Sequence, residues 1–224
     1  MSYFNFGCKE DTTLSNEKIR SQNIEDSLTK TLTSKILNRD RIKDSIVQSE
    51  QKKVISNIEF GMSELESKKL IKEFVKSSEK KYDEESTFND HFIGDYEFSS
   101  YGVFGVYEND SLFFLKVGGK NIHYDYYERD LNHQLGFIKD VIYSKYGEPT
   151  LNNGLPERYK INEESSFTAY SWTVGTKNID ITIDEDGLYY SVDLYIYQPE
   201  ILNMRTERRK AKNKEKAESL GDTF

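Results

Sequence analysis

Apolar residues recur at two different periods along this chain, and the change of period divides it. Ile24, Leu28, Leu32, Ile36, Ile42 and Ile46 form a thin stripe at mostly helical spacing, in a stretch with neither Gly nor Pro between Gly7 and Gly61. Residues 1–53 therefore read as a helical arm. The spacing slips between Ile36 and Ile42, so either a coiled coil or an amphipathic helix laid on the domain accounts for the stripe. Val54 to Phe60 alternates loosely as a strand or extended entry. Ser63-Glu64-Leu65-Glu66 then has the form of a capping box, which satisfies free helix amides and predicts a helix to about Ser77. Leu65, Leu70, Ile71, Phe74 and Val75 would face a sheet, and Lys76 to Thr87 reads as a charged loop.

From Phe92 the period becomes two. Phe92 to Phe98, Tyr101 to Tyr107 and Ser111 to Val117 read as strands, with Glu108-Asn109-Asp110 as the turn between the last two. Phe113-Phe114-Leu115 is apolar on both faces, which suggests a central strand. Leu131, Leu135, Ile138 and Ile142 place a second helix at Asp130 to Lys145, stopped by Gly147 and Pro149. Gly136 inside it disfavours the helix relative to Ala, which a close helix contact would explain. Phe167 to Val174, Asn178 to Asp184 and Leu188 to Tyr197 complete the set, joined by Gly175-Thr176-Lys177 and Glu185-Asp186-Gly187. The expected class is α+β: a mainly antiparallel sheet over residues 54–198, in the order helix, three strands, helix, three strands, with helices packed on one face. Trp172, with Tyr170 and Val174 on its side of a strand, should lie under the helix that ends near Tyr146.

Ile58-Glu59-Phe60-Gly61-Met62-Ser63 before a helix, Tyr146-Gly147-Glu148-Pro149 after one, and Trp172 opening a strand meander resemble the β-lactamase-inhibitor-protein and small outer-membrane-assembly lipoprotein modules over about residues 54–198. The resemblance implies a non-enzymatic unit that binds another protein across a sheet face. The chain departs from that pattern in lacking paired cysteines and in carrying long arms at both ends.

Composition narrows the classes. The formal charge of -8 opposes a nucleic-acid coat over the whole surface and favours solubility. One cysteine, Cys8, excludes an internal disulfide framework and a multi-cysteine zinc site. No run reaches the ~18 apolar residues of a membrane helix, so no transmembrane segment is expected and the sequence as written reads as cytoplasmic. Gly7-Cys8-Lys9-Glu10-Asp11 has the look of a mature lipoprotein start; were a leader missing, Cys8 would carry lipid and the chain would be extracytoplasmic. Residues 199–224 form a basic tail with Arg205, Arg208, Arg209, Lys210, Lys212, Lys214 and Lys216. A solvated mixed-charge helix explains it, and only through this tail would nucleic acid or anionic lipid be contacted.

Candidate chemistry is sparse, and no cofactor is implied. His123, Asp125 and His133 offer imidazole and carboxylate ligands in a short span, without a recognised metal spacing; the same acidic run suits a helix N-terminus. Gly118-Gly119-Lys120-Asn121 lacks the spaced glycine and hydroxyl of a phosphate loop and reads as a turn. In the last strand Leu188, Tyr190, Val192, Leu194 and Ile196 would face the core, leaving Tyr189, Ser191, Asp193, Tyr195 and Tyr197 outward. Tyr189, Asp193, Tyr195 and Tyr197 are thus the candidate binding residues, since Tyr combines an apolar ring with a water-tolerant hydroxyl. The same tyrosines could pair across strands or lie beneath the N-terminal helix. Three functions follow: a non-enzymatic module that binds another protein of unknown identity; a structural subunit of a larger assembly, a virion or secretion machine, using its arms; and a metal-dependent enzyme.

Overall fold

A computed structural model describes Lys30, Thr33 and residues 47–80, 90–161 and 166–221. The chain divides into two compact units, Met1–Val47 and Gln48–Phe224. The stripe Ile24 to Ile46, Cys8, and the stretch 81–87 of the expected charged loop lie outside the described residues.

The second unit holds β1 (Lys53–Ile55), β2 (Ile58–Glu59), α1 (Glu64–Ser77), β3 (Glu79–Lys80), β4 (Asp90–Ile93), β5 (Tyr96–Glu108), β6 (Ser111–Gly119), β7 (Ile122–His123), α2 (Asn132–Tyr146), β8 (Leu151–Asn152), β9 (Phe167–Val174), β10 (Lys177–Asp186), β11 (Tyr189–Tyr197) and α3 (Pro199–Gly221). The strands from β3 onward form one antiparallel sheet in the order β3-β4-β5-β6-β11-β10-β9-β8, with β7 beside β11. This is the expected α+β class. β6 is central, as its doubly apolar Phe113-Phe114-Leu115 predicts.

Local chemistry sets the corners. Asn109 and Asp110 both have positive φ, 51° and 61°, the twist a two-residue hairpin between right-twisted strands requires. Asp110 Oδ1 also accepts the Glu64 N–H at 2.9 Å, and Ser63 Oγ accepts the Glu66 N–H at 3.3 Å. The first turn of α1 is therefore capped by its own serine and by the hairpin beside it.

One face of the sheet buries Tyr96, Leu115, Val117, Ile181, Val192 and Leu194 against Ile71 of α1 and Leu135, Ile138 and Ile142 of α2. Phe74 stacks on Phe98 with centroids 5.7 Å apart. Trp172 is 2% exposed and donates its indole N–H to the Gly147 carbonyl at 2.8 Å, at the end of α2. Its expected place under that helix is the observed one.

Residues 48–53, read from the sequence as the end of the arm, belong to the second unit because a buried cation holds them. Lys177 is 0% exposed and donates to the carbonyls of Glu50 and Lys53, both at 2.7 Å, and to Tyr146 Oη at 3.2 Å. Burial, with Lys145 nearby, brings its ammonium down to about 8. Beside it the Glu50 carboxylate takes Lys145 at 2.6 Å and Lys53 at 3.2 Å.

Several boundaries differ from the sequence expectation. The stretch Phe92 to Phe98 is a hairpin: Gly94, with φ 63°, turns the chain between β4 and β5. β5 then runs unbroken through Tyr101, accommodating extra residues as a bulge between its pairs Phe98↔Gly119 and Val103↔Val117. Val54 to Phe60 is likewise folded back as β1 and β2, turning at Ser56. Leu65 and Leu188 do not face the core; they are 84% and 59% exposed. Leu188 lies in the tight turn at Gly187, so strand alternation does not reach it. A Cβ on Gly136 would meet nothing within 4 Å, so no close contact explains that glycine. Gly118-Gly119 is the end of β6 rather than a turn. A Cβ on Gly102 would stand 2.9 Å from Gly118 Cα, and one on Gly119 would stand 2.3 Å from the Val192 carbonyl oxygen. These glycines let backbones approach.

Candidate binding face

The sheet face opposite α1 and α2 is crossed by the first turns of α3. Gln198 N–H donates to the Phe113 carbonyl at 2.9 Å, carrying the β11 to β6 pairing one step further before the helix begins. Arg205 then lies over the Phe113 ring, 5.6 Å from its centroid, and donates to the Tyr107 carbonyl at 3.2 Å. Arg208 reaches Glu108 at 2.5 Å. These contacts close Phe113 off from solvent but leave Phe104 47% exposed. Between helix and sheet a groove of about 440 Å³ remains, floored by Phe104, Val106, Phe114 and Tyr195 and walled by Leu202, Arg205 and Arg209.

The floor is tied together by an ionic lattice on the same face of the sheet. Lys116, alone among apolar neighbours in β6, forms ion pairs with Asp184 at 3.3 Å and more closely with Asp193, and sits 5.1 Å from the Tyr195 ring centroid. Burial would lower the Lys116 ammonium, but Asp193 and Tyr195 outweigh it and raise it above its ordinary value. Tyr195 donates to Asp184 at 3.0 Å and Tyr197 to Asp180 at 2.7 Å, while Ser171 also hydrogen-bonds Asp180. Burial, followed by nearby carboxylates working against the pull of Lys116, pushes the Tyr195 phenol up to about 12, so it remains a donor. Phe114 packs against both rings, at 5.7 Å from Tyr195 and 6.1 Å from Tyr197.

The four candidate binding residues thus separate. Tyr195 and Tyr197 are half-buried on one aromatic patch. Tyr189 is 45% exposed at the other end of β11, beside His123 with centroids 5.6 Å apart. Asp193 has the expected side of the strand but is 2% exposed; it accepts the Gly119 N–H at 3.0 Å and pairs with Lys116, so no partner can reach it. Solvent exclusion by Lys116 and the close β6–β11 approach overrides the exposure that alternation alone suggests. Phe104, Phe114, Lys116 and Leu202 were not anticipated. The available signal was Lys116 itself, an isolated cation between Leu115 and Val117 on a strand otherwise apolar at its centre.

The histidine set does not assemble. His123 Nδ1 stands 3.2 Å from Asp125 Oδ2, whereas His133 lines a separate cleft with Glu97, Lys120 and Arg129. Among the described residues no three His, Cys, Asp or Glu side chains gather as a metal-binding group. No helix among them is long and apolar enough to cross a membrane. Neither a family model, nor a curated protein, nor a solved structure matches this chain.

Proposed function

We propose that the protein is a non-catalytic binding module whose outer sheet face, around Phe104, Phe114, Tyr195 and Tyr197, meets another protein. One observation carries this: among the described residues, an aromatic patch on a groove of about 440 Å³ is left uncovered and is already rigid, because its tyrosine hydroxyls are tied to Asp184 and Asp180. A partner then gains contact area without ordering those side chains. The resemblance to inhibitor and lipoprotein modules points the same way. Site-specific photocrosslinking in the native host tests the reading. A crosslinker at Phe104 should trap a discrete protein that one at Tyr143, on the far helix layer, does not. Equal trapping from both positions, or none from either, refutes it.

The reading as a structural subunit of a larger assembly keeps one observation in its favour. α3 is 23 residues long, and from Asn203 to Glu218 its side chains are exposed, so it can reach a neighbour. Mass in solution separates the two: a monomer at micromolar concentration opposes the subunit reading.

A further inference from the structure

The wall of the groove continues beyond the groove. Leu202, Arg205, Thr206 and Arg209 are the α3 residues that line it. At 100° per residue, Arg205, Arg209, Lys212 and Lys216 fall within an arc of ~60° along ~17 Å of helix. They extend the groove-facing side of α3 as an unbroken cationic stripe. By the same geometry Glu200, Glu207, Glu215 and Glu218 lie together on another side of the helix, none within the stripe. The remaining lysines follow the acids: Lys210 pairs with Glu207 at 2.9 Å and Lys214 with Glu218 at 3.9 Å. Arg209 and Lys212 have no ion pair among the described residues. A helix that merely needed charge for solubility would intersperse its signs around the circumference. Here the acids are kept off the side that faces the aromatic patch.

We infer that this composite surface, apolar groove at one end and cationic stripe leading from it, docks an acidic amphipathic segment of a partner protein. An apolar side chain would enter between Phe104, Phe114 and Leu202, and its carboxylates would follow Arg205, Arg209, Lys212 and Lys216. The inference rests on the protein-binding reading and names the chemistry of the partner. An acidic peptide fits better than a nucleic acid for two reasons. Apart from Arg205 and Arg209, the groove is lined largely by aromatic and aliphatic side chains, and of its neutral hydroxyls Tyr195 is already committed to Asp184, which leaves Thr206. The floor's only cation, Lys116, is already neutralised by Asp184 and Asp193, and the chain as a whole carries a charge of -8. A phosphate backbone, with a charge at every residue, meets that repulsion throughout its length. A peptide with carboxylates one helical turn apart meets the stripe and little else.

Fluorescence anisotropy with the full chain provides the test. The probe is a labelled peptide of about twelve residues, the helical length of the stripe, with Glu at every third or fourth position and one Phe near its end. It should bind, and binding should weaken as salt rises. The exposed double variant Arg209→Glu/Lys212→Glu, whose melting temperature should be unchanged, should bind about tenfold or more weakly. Replacing the peptide Phe by Gly should weaken binding to the unaltered protein. The inference is overturned if the peptide does not bind, or if the double variant binds it equally well. It is overturned equally if an oligo-dT of the same charge binds more tightly than the peptide, or if anionic vesicles do. If Phe104 still traps a protein whose binding ignores the double variant, the binding face stands and only its acidic partner is lost.

Discussion

Replacing Lys177 by Met removes the buried cation that ties residues 48–53 to the domain, and the size of the effect depends on pH. Four charged or titratable groups face it: Glu50 from the entry segment, Lys53 from β1, and Lys145 and Tyr146 from α2. Burial is the largest influence and depresses the folded-state value from 10.5 to about 8. The folded protein therefore prefers neutral Lys177, and its charged form holds stability down below pH 8. Between pH 8 and 10.5 the unfolded chain binds the extra proton, so stability rises with pH. The full penalty is about 3 kcal/mol, and about 2 kcal/mol of it is relieved between pH 7.5 and 9.5. Met leaves the Glu50 and Lys53 carbonyls without their donor, at about 1 to 3 kcal/mol each, but relieves the buried charge. At pH 7.5 these nearly offset. At pH 9.5 only about 1 kcal/mol of that relief remains, and Lys177→Met is clearly the less stable protein. Urea unfolding of both proteins at the two pH values checks this, because other groups cancel in the difference. A stability difference that stays constant across the window would refute the assignment of a depressed, buried lysine.

Trp172→Ala should cost about 3 to 5 kcal/mol, since the indole is almost wholly enclosed and its N–H is committed to Gly147; a thermal melt lowered by no more than a degree or two would contradict that packing. Gly119→Ala should destabilise by roughly 2 kcal/mol, because its Cβ would meet the Val192 carbonyl that accepts the Tyr96 hydroxyl at 2.6 Å. The clash is with backbone and cannot be relieved by a rotamer change, so an unchanged urea midpoint would show that β6 and β11 are farther apart than described.

Much of this architecture is legible from residue spacing. The two packed helices were readable because Ile71, Phe74, Leu135, Ile138 and Ile142 repeat at helical spacing and their ends carry Ser63 and Gly147. The strands of the second half were readable because apolar alternation runs between glycine-bearing turns. The first hairpin of the sheet was not: Gly94-Asp95 is a turn signal set inside an aromatic run, and pattern continuity masked it. The candidate binding face was half legible. Alternation assigned Tyr195, Tyr197 and Asp193 to the outer side correctly, but periodicity carries no information on what covers that side. Burial of Asp193 depends on Lys116 from another strand and on Gly119, pairings that only the register of β6 on β11 creates. The groove needed α3 to fold back over β6, a tertiary event that a mixed-charge tail does not announce.

That fold-back divides α3 into a part seated on the sheet and a part that is not. α3 is fixed to the sheet through Phe113, which its first turns bury, and through Arg205 and Arg208 at the β5–β6 hairpin. The partly exposed Arg208–Glu108 pair contributes little by itself, so the burial of Phe113 and the partial burial of Leu202 are what seat the helix. From Lys210 to Glu218 every side chain of α3 is exposed, and a helix segment without tertiary packing is marginal in water. In the proposed complex the distal turns therefore gain most from a partner whose carboxylates meet Lys212, while the proximal turns already hold the groove open. On the proposed reading, recognition begins at the rigid aromatic floor and continues along the helix through Arg209 and Lys212. The same proposal places the affinity in the groove and the selectivity for acidic sequence in the stripe.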